Sequence, residues 1–484
     1  MRRLTALLMA GVALLLPSAA AGQTRPGPSV VAGARRLPDT SFARRIKRGC
    51  DRYVSTAGDD ANDGRSSRSA WRTIGMALRT LRAGEVGCVL PGTYEEGHNE
   101  AAHDGTPSAP IVLRRAPGAR AAPVVRPKGP VAVLHIDRDY WVLDGLDVDV
   151  GFQKVTGVRF MENADHGVLR NSRVHNSTSG ASVYVAGRDI LVEGCDIFNN
   201  FRADGQDSHG VAIVQSAARV MVRRSRIWDN GGDGIQCEDY AEASANPEDI
   251  TLEDNLIYTT PANLGRTENA VDIKSCRYVT VRGSAPVGAA GAAARNKFYG
   301  FALKPTARGE AVVVHYNARH VLIENTHIRD ACRGVSVGRG EDRVTLVEHM
   351  VVRGNLIEDL RHGQNCDGDA VLVSRAHHLD VHHNVLRNIP RAAFRAGVNN
   401  TTGVPDVDLD FWGNTVGPAA RWLNLGIGAG QLEGFASDRN LFTGGAEDGA
   451  RFYLDGKHVT LREWRRMAGT AAASSTDSHS RVRR

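Results

Sequence analysis

The chain has 484 residues, 42% hydrophobic and 24% charged, with 52 glycines and a formal charge of +6. This composition excludes a disordered chain and fits a turn-rich globular protein of one large or two ordinary domains. The basic excess is mild and no basic block is interleaved with aromatics, so nucleic acid is excluded as the expected partner while an anionic one stays compatible.

Met1-Arg2-Arg3 precedes an apolar run that ends in Ala19-x-Ala21. Residues 1–21 therefore read as a secretory signal and place the mature chain outside the cell or in a periplasm. An anchor helix is the alternative, but Pro17 and small residues end the run early. Cleavage would remove Arg2 and Arg3 and leave a charge of +4. No later segment reaches membrane-spanning length. Residues 22–48 are basic and rich in Pro and Gly, and read as a linker. Residues 49–130 read as an N-terminal cap with the first coils. Within them Trp71, Ile74, Ala77, Leu78 and Leu81 have helical spacing and Gly84 stops the helix, which would close the open end of a solenoid.

Residues 131–445 read as the repeat region, and between 165 and 420 one pattern recurs: apolar-x-apolar, two or three polar residues, then an apolar pair. The apolar residue after the polar turn falls at Val174, Ile197, Ile227, Ile257, Phe298, Ile328, Ile357, Leu386 and Val416. Most steps are 29 or 30 residues; the 41-residue step to Phe298 contains the 11-residue excursion Ser284–Ala294, without which it is 30. Each repeat holds two or three short β-branched strands and no helix-length periodic run, and it is too short for a propeller blade. A parallel β-helix with one coil per repeat is the remaining solution, since stacked coils supply the core no single coil can bury. Asn255, Asn325, Asn355, Asn384 and Asn414 are assigned to one turn, as an inward ladder that satisfies its backbone. Residues 446–470 read as a C-terminal cap and 471–484 as a disordered tail. The expected assembly is a monomer.

Seven cysteines contain no CxxC pair, which excludes a zinc ribbon. Cys50–Cys88 is the best disulfide candidate and Cys332–Cys366 the second, with at least one buried free thiol left over.

The stretch "YVSTAGDDANDGRSSRSAWRTIGMALRTLRAGEVGCVLPGTYEE" resembles the N-terminal cap of exported right-handed parallel β-helix proteins of the pectate-lyase superfamily. The Asn-rich coils after residue 165 resemble their repeats. "WDNGGDGIQCED" resembles the calcium-binding coil of family 9 pectate lyases, where Asp-Asp-Gly-x-Asp is usual; Asp233 matches, while Gly232 and Gln236 replace two acids. "NAVDIKS" resembles the Glu-x-x-Ser-x-Lys-Ser motif of family 6 lyases acting on alginate and dermatan-type chains, in which the Lys is the base. Lys274 and Ser275 match it, while Asn269 and Asp272 replace the Glu and Ser.

"ENAVDIKSCRYVTVRG" alternates apolar and polar residues and reads as a strand with one buried face. Residues 209–215, 233–239, 269–275 and 310–316 align without gaps. Ala212, Gln236, Asp272 and Val313 then form one outward column, and Val214, Glu238, Lys274 and His315 the next. Such a row suits β-elimination from an acidic, uronate-containing polysaccharide. Ca²⁺ held by Asp207, Asp233, Glu238 and Asp239 would neutralise the substrate carboxylate. Lys274, its pKa lowered by neighbouring positive charge, or His315 would take the C5 proton, and Tyr316 or Arg339 would serve the leaving oxygen. Gln236, Asp272, Arg277 and His209 are the expected substrate contacts. The competing reading of Lys274, Glu238 and Asp272 is a surface ion-pair row. On the same fold, C5 epimerase, glycoside hydrolase and non-catalytic carbohydrate binding are the alternatives to a lyase. The histidines of "HHLDVHHN" (377–384) alternate between faces, which argues against a metal cluster there.

Overall fold

The computed structural model describes residues 32–44, 46, 49–97, 99–238, 246–287, 296–304, 308–338, 346–363, 366–397, 404–426, 432–445, 449–466 and 473–483. The expected signal segment lies outside them. Successive coils contribute strands to three sheets, which among the described residues hold 16, 14 and 13 strands and are parallel except for the terminal pair Phe452–Leu454 and Lys457–Val459. We call these sheets 1, 2 and 3 in the order the chain visits them within a coil. The expected period is the observed register. Val174, Ile197, Ile227, Ile257, Phe298, Ile328, Ile357, Leu386 and Val416 pair in sequence along sheet 2, across the long step included. All are buried. The architecture is the right-handed parallel β-helix that the repeat implies.

The turn from sheet 1 to sheet 2 has two residues of fixed character. The first adopts a left-handed conformation, as at Arg224, Asp254, Asn325, Gly354, His383 and Gly413. The second points inward and carries a hydrogen-bond ladder. The amide N–H of Ser225 donates to Asn255 Oδ1, that of Asn255 to Asn296, that of Thr326 to Asn355, and so on through Asn384, Asn414 and Asn440, at 2.9–3.1 Å. Asn255, Asn355, Asn384, Asn414 and Asn440 each also donate an Nδ2–H to a carbonyl near the end of the preceding sheet 1 strand, as Asn384 does to Val352. The ladder therefore satisfies buried donors and acceptors that a bend this tight cannot pair with its own backbone. Asn325 is not in it. It is the left-handed residue one position earlier, and Thr326 takes the inward place, accepting from Asn296 Nδ2 at 3.0 Å.

The N-terminal helix α1 (Ile74–Thr80) is capped by Thr73, whose Oγ1 accepts from the Met76 amide, and by Glu96, whose carboxylate accepts from the Ile74 and Gly75 amides. Trp71 bridges to Val54 in extended conformation and lies outside the helix. Residues 32–44 are not a free linker. They run along the margin of sheet 1 from the coil of His320 back to that of Tyr140. Gly33 N donates to His320 O, Ala34 N to Thr280 Oγ1, Arg35 N to Asp249 and Asp39 N to Asp189, and Phe42 is buried against Tyr140. The expected disordered tail also differs: Ala473–Thr476 and Arg481–Arg483 add strands to sheets 1 and 2. Helix α2 (Leu461–Arg466) buries Leu461 and Trp464 at that end. No helix among the described residues is long and apolar enough to cross a membrane.

Disulfides Cys50–Cys88 and Cys332–Cys366 form as expected, and Cys195 is the buried free thiol. A third bond, Cys237–Cys276, was not anticipated.

The outer face of sheet 1 carries a column of alternating charge: Asp144, Arg170, Glu193, Arg223, Glu253, Arg282, Glu324, Arg353. In the neighbouring column the like-charged Asp380 and Asp410 stand opposite one another. Burial lifts the Asp380 carboxyl to about 6, against the hydrogen bond it accepts from Trp412 Nε1.

Two outcomes are expected. Asn384→Ala strips four hydrogen bonds from the ladder and should cost about 3 kcal/mol in denaturant unfolding, whereas Asn325→Gly, at a left-handed position, should cost under about 0.5 kcal/mol. Because Asp380 binds its proton more tightly folded than unfolded, it favours folding at low pH and loses that contribution as pH rises from about 4 to 6. Asp380→Asn should therefore unfold at a higher temperature than the parent at pH 7.5, with the difference vanishing near pH 4.

Candidate functional site

Four successive strands of sheet 3 build the site: β1 (His209–Val214), β2 (Ile235–Glu238), β3 (Val271–Lys274) and β4 (Glu310–His315). Their register is the gapless one. Ala212, Gln236, Asp272 and Val313 lie opposite one another, Val214 opposite Glu238, and Lys274 opposite His315. The alternate residues Ile213, Cys237, Ile273 and Val314 are buried in the core. The stretch from Glu268 to Gly283 is two strands rather than one. Ser275 takes a left-handed φ of 58°, and the chain turns onto sheet 1 at Arg277–Arg282. Arg277 therefore belongs to another face, exposed and opposite Glu248 and Arg319, and is not a contact of this site.

The row is closely coupled. Lys274 Nζ lies 3.4 Å from Asp272 Oδ2 and 3.5 Å from Glu238 Oε2, and His315 Nε2 lies 2.7 Å from Asp272 Oδ1. Cys237–Cys276 bonds the coil of Glu238 to that of Lys274 directly beneath these side chains. Asp272 is only 6% exposed, against 19% for Lys274, 21% for Glu238 and 13% for His315. The protonation states follow from this placement. Burial disfavours charge on Asp272, but His315 and Lys274 outweigh it and hold the carboxyl well below its ordinary range. Burial also opposes the Lys274 charge, yet Asp272, Asp233 and Glu238 outweigh it and hold the ammonium well above the lysine range. The lowered lysine pKa expected of a base is thus reversed in sign. Burial raises the Glu238 carboxyl, Lys274 opposes that rise, and Asp272 adds to it.

Behind the row lies a buried polar layer. Asp233 is fully enclosed, accepting from Asn269 Nδ2 at 2.9 Å and Gln236 Nε2 at 3.3 Å. His209 Nδ1 is 3.2 Å from Asp233 Oδ2 and 2.9 Å from the Asp233 amide nitrogen. It accepts from the amide when the ring is neutral and donates to the carboxylate when charged. Burial pushes the imidazole down, but Asp233 outweighs it and the net shift is upward, favouring the charged form. His209 and Gln236 thus support the row from below. Tyr316 sits in the left-handed turn after β4 with its ring 4.4 Å from that of His315. Arg339 and Asp239 lie outside the described residues.

The described members of the expected calcium set do not suit one divalent ion. Asp207 holds Lys304, Asp233 is enclosed by amide donors, and Glu238 faces Lys274. Among the described residues no group of three or more His, Cys, Asp and Glu is placed to hold a metal. Gly232, where an acid is usual, has a physical reason: a Cβ there would stand 2.5 Å from His209 Nδ1. Sequence reasoning missed Lys304 and Glu268, which meet at 3.2 Å beside the site. Lys304 comes from a connecting segment without periodic pattern, and only Glu268, next to Asn269, carried a visible signal.

Residues 157–285 match the family described as "Right handed beta helix region", a stretch that includes every site residue from His209 to Lys274 but not His315. The chain is a right-handed parallel β-helix protein. No curated protein matches it. Among solved structures it is similar to pectate lyase Pel9A (14% identity, 91% of this chain and 80% of that one, TM-score 0.39). It is also similar to an alginate lyase from Paenibacillus sp. str. FPU-7 (14%, 64% and 91%, 0.43). A third is a GH136 lacto-N-biosidase from Eubacterium ramulus (13%, 92% and 68%, 0.42).

Lys274→Met removes the cation that holds Glu238 down. In carbon-detected NMR titrations the Glu238 carboxyl should then titrate at higher pH than in the parent, and an unchanged midpoint would break the electrostatic account.

Proposed function

We propose that the chain is an exported polysaccharide lyase that cleaves an acidic, uronate-containing glycan by β-elimination, with its own side chains supplying both the cation and the base. What carries this reading is the Asp272–His315 contact of 2.7 Å on the same outward row as a lysine held in its charged form.

Elimination requires removal of a weakly acidic C5 proton beside a carboxylate. Lys274 is placed to neutralise that carboxylate and the enolate-like charge that develops on it. With the His315 Nε2–H donated to Asp272, the Nδ1 lone pair takes the proton, and Asp272 stabilises the imidazolium that results. The C5–H electron pair becomes the C4–C5 double bond, and the C4–O4 bond breaks. The departing oxygen takes a proton from Glu238, whose carboxyl is already biased toward the neutral form and is pushed further by an anionic substrate. A hydrolase needs two carboxyl groups flanking the bond. Asp233 is fully enclosed, Asp272 nearly so, and the more exposed Asp207 is paired with Lys304, which favours the lyase reading over the hydrolase one. A calcium-assisted route would require Asp207 and Glu238 to leave their lysines. Three disulfides suit an oxidising compartment, in keeping with export.

The test is ultraviolet absorbance of unsaturated uronate product on pectate, alginate, hyaluronan and glucuronan-type polymers, with calcium and with a chelator. A chelator-resistant rise is expected on at least one polymer. His315→Ala should lower kcat by about 10²–10⁴. Lys274→Arg should retain more activity than Lys274→Met, because only the former keeps the charge. A rate abolished by chelator would return calcium to the mechanism. Absence of any absorbance rise, with inverted uronate residues detected by NMR, would make the enzyme an epimerase using the same proton abstraction.

A further inference from the structure

Lys304 lies outside the four site strands, in the segment that leads from the sheet 2 strand Asn296–Phe301 to β4. Its side chain is 7% exposed. Nζ donates to the Gly231 carbonyl at 2.7 Å, to Asp207 Oδ1 at 3.1 Å and to Glu268 Oε1 at 3.2 Å. An ammonium has three N–H donors, and here three oxygens receive them. The three oxygens belong to successive coils at one corner, since Asp207 precedes β1, Gly231 precedes β2 and Glu268 precedes β3. One cation therefore joins four coils. Each oxygen stands one or two residues before a member of the buried layer: Asp207 before His209, Gly231 before Asp233, Glu268 before Asn269.

Two carboxylates and a backbone carbonyl are the donors that a hard divalent cation takes. At this corner a lysine of the same chain has taken them, and the packing agrees, because a Cβ on Gly232 would stand 3.1 Å from Asp207 Cβ as well as against His209. We infer that Lys304 is a tethered cation standing where a divalent ion would otherwise bind, that it positions the turns entering the site, and that removing its side chain converts the corner into a site for a hard divalent cation. The inference does not depend on the reaction proposed above, and its readout is stability and ion binding.

The experiment compares thermal unfolding of the full chain, Lys304→Ala and Lys304→Met in chelator, in millimolar Ca²⁺ and in ethylammonium. The parent is expected to unfold at one temperature throughout. Lys304→Ala should lose about 5 °C in chelator and regain most of it with Ca²⁺ or ethylammonium, but not with tetramethylammonium, which has no N–H to donate. Lys304→Met fills the space without charge and should lose as much and regain nothing. Sensitised Tb³⁺ luminescence should report an ion on Lys304→Ala, displaced by Ca²⁺ and lost on adding Asp207→Asn. A Lys304→Ala protein as stable as the parent in chelator, or one whose loss neither cation restores, overturns the inference. If Lys304→Ala does not accumulate folded, the single variant Asp207→Asn carries the test. It should lower the unfolding temperature without creating calcium dependence, and an unchanged temperature overturns the inference equally.

Discussion

The turn between sheets 1 and 2 is the constraint on which the molecule rests. A coil that must change direction within two residues leaves amides and carbonyls facing the core with no strand to pair them. The left-handed residue makes the bend and the inward Asn answers it, accepting an amide N–H from the preceding coil and donating to a carbonyl of that same coil. A coil slipped by one residue would bury the left-handed side chain and expose the Asn. Register is thereby set at the corner, and the rest of each coil inherits it. That inheritance stacks residues from coils 24 to 41 positions apart into continuous outward columns.

Outward columns do not all obey one rule. In the column of sheet 1 from Asp144 to Arg353 charges alternate in sign over eight coils, so each of those residues meets an opposite charge. Such partly exposed pairs add little stability individually, but like charges would oppose the stacking. On sheet 3 the rule is abandoned. Asp272, Glu238 and Lys274 crowd together with His315, partly withdrawn from water and pinned from below by a disulfide. Charges gathered this way are not needed for register, which the corner has already secured. They raise, lower and couple protonation states, and this is what catalytic chemistry requires.

Much of this was legible in the sequence because stacking is a one-dimensional problem. The period placed Phe298 opposite Ile257 across 41 residues, and gapless alignment placed Lys274 opposite His315. Features that broke from period were not legible. Asn325 was misassigned because Thr326 holds the inward place that Asn holds elsewhere, and the two differ by one position in the turn. Residues 32–44 looked like a linker because they dock by backbone amides onto Thr280, Asp249 and Asp189, and amide donors have no residue signature. Lys274 stands where the alignment puts it, but the lowered pKa expected of it is reversed in sign. The sign depends on three carboxylates from two coils, and their summed effect follows from depth and distance rather than from alignment.

The two lysines near the site answer a common problem in different ways. A fold that stacks carboxylates on one face accumulates negative charge, and a partly dry surface makes that charge costly unless a cation meets it. A bound ion is lost by dilution or chelation, whereas an ammonium on the chain is always present at unit stoichiometry. Its limitation is geometry, since three N–H donors reach fewer oxygens than a divalent ion's six to eight ligands. The division of labour fits that limitation. Lys304 spends all three donors on protein oxygens and lies buried as a brace. Lys274 touches two carboxylates at the longer distances of 3.4 and 3.5 Å and keeps a fifth of its side chain in water. An anion can approach the second ammonium and not the first, so in the reaction proposed above the cation that would serve chemistry is the one whose protein partners hold it least tightly.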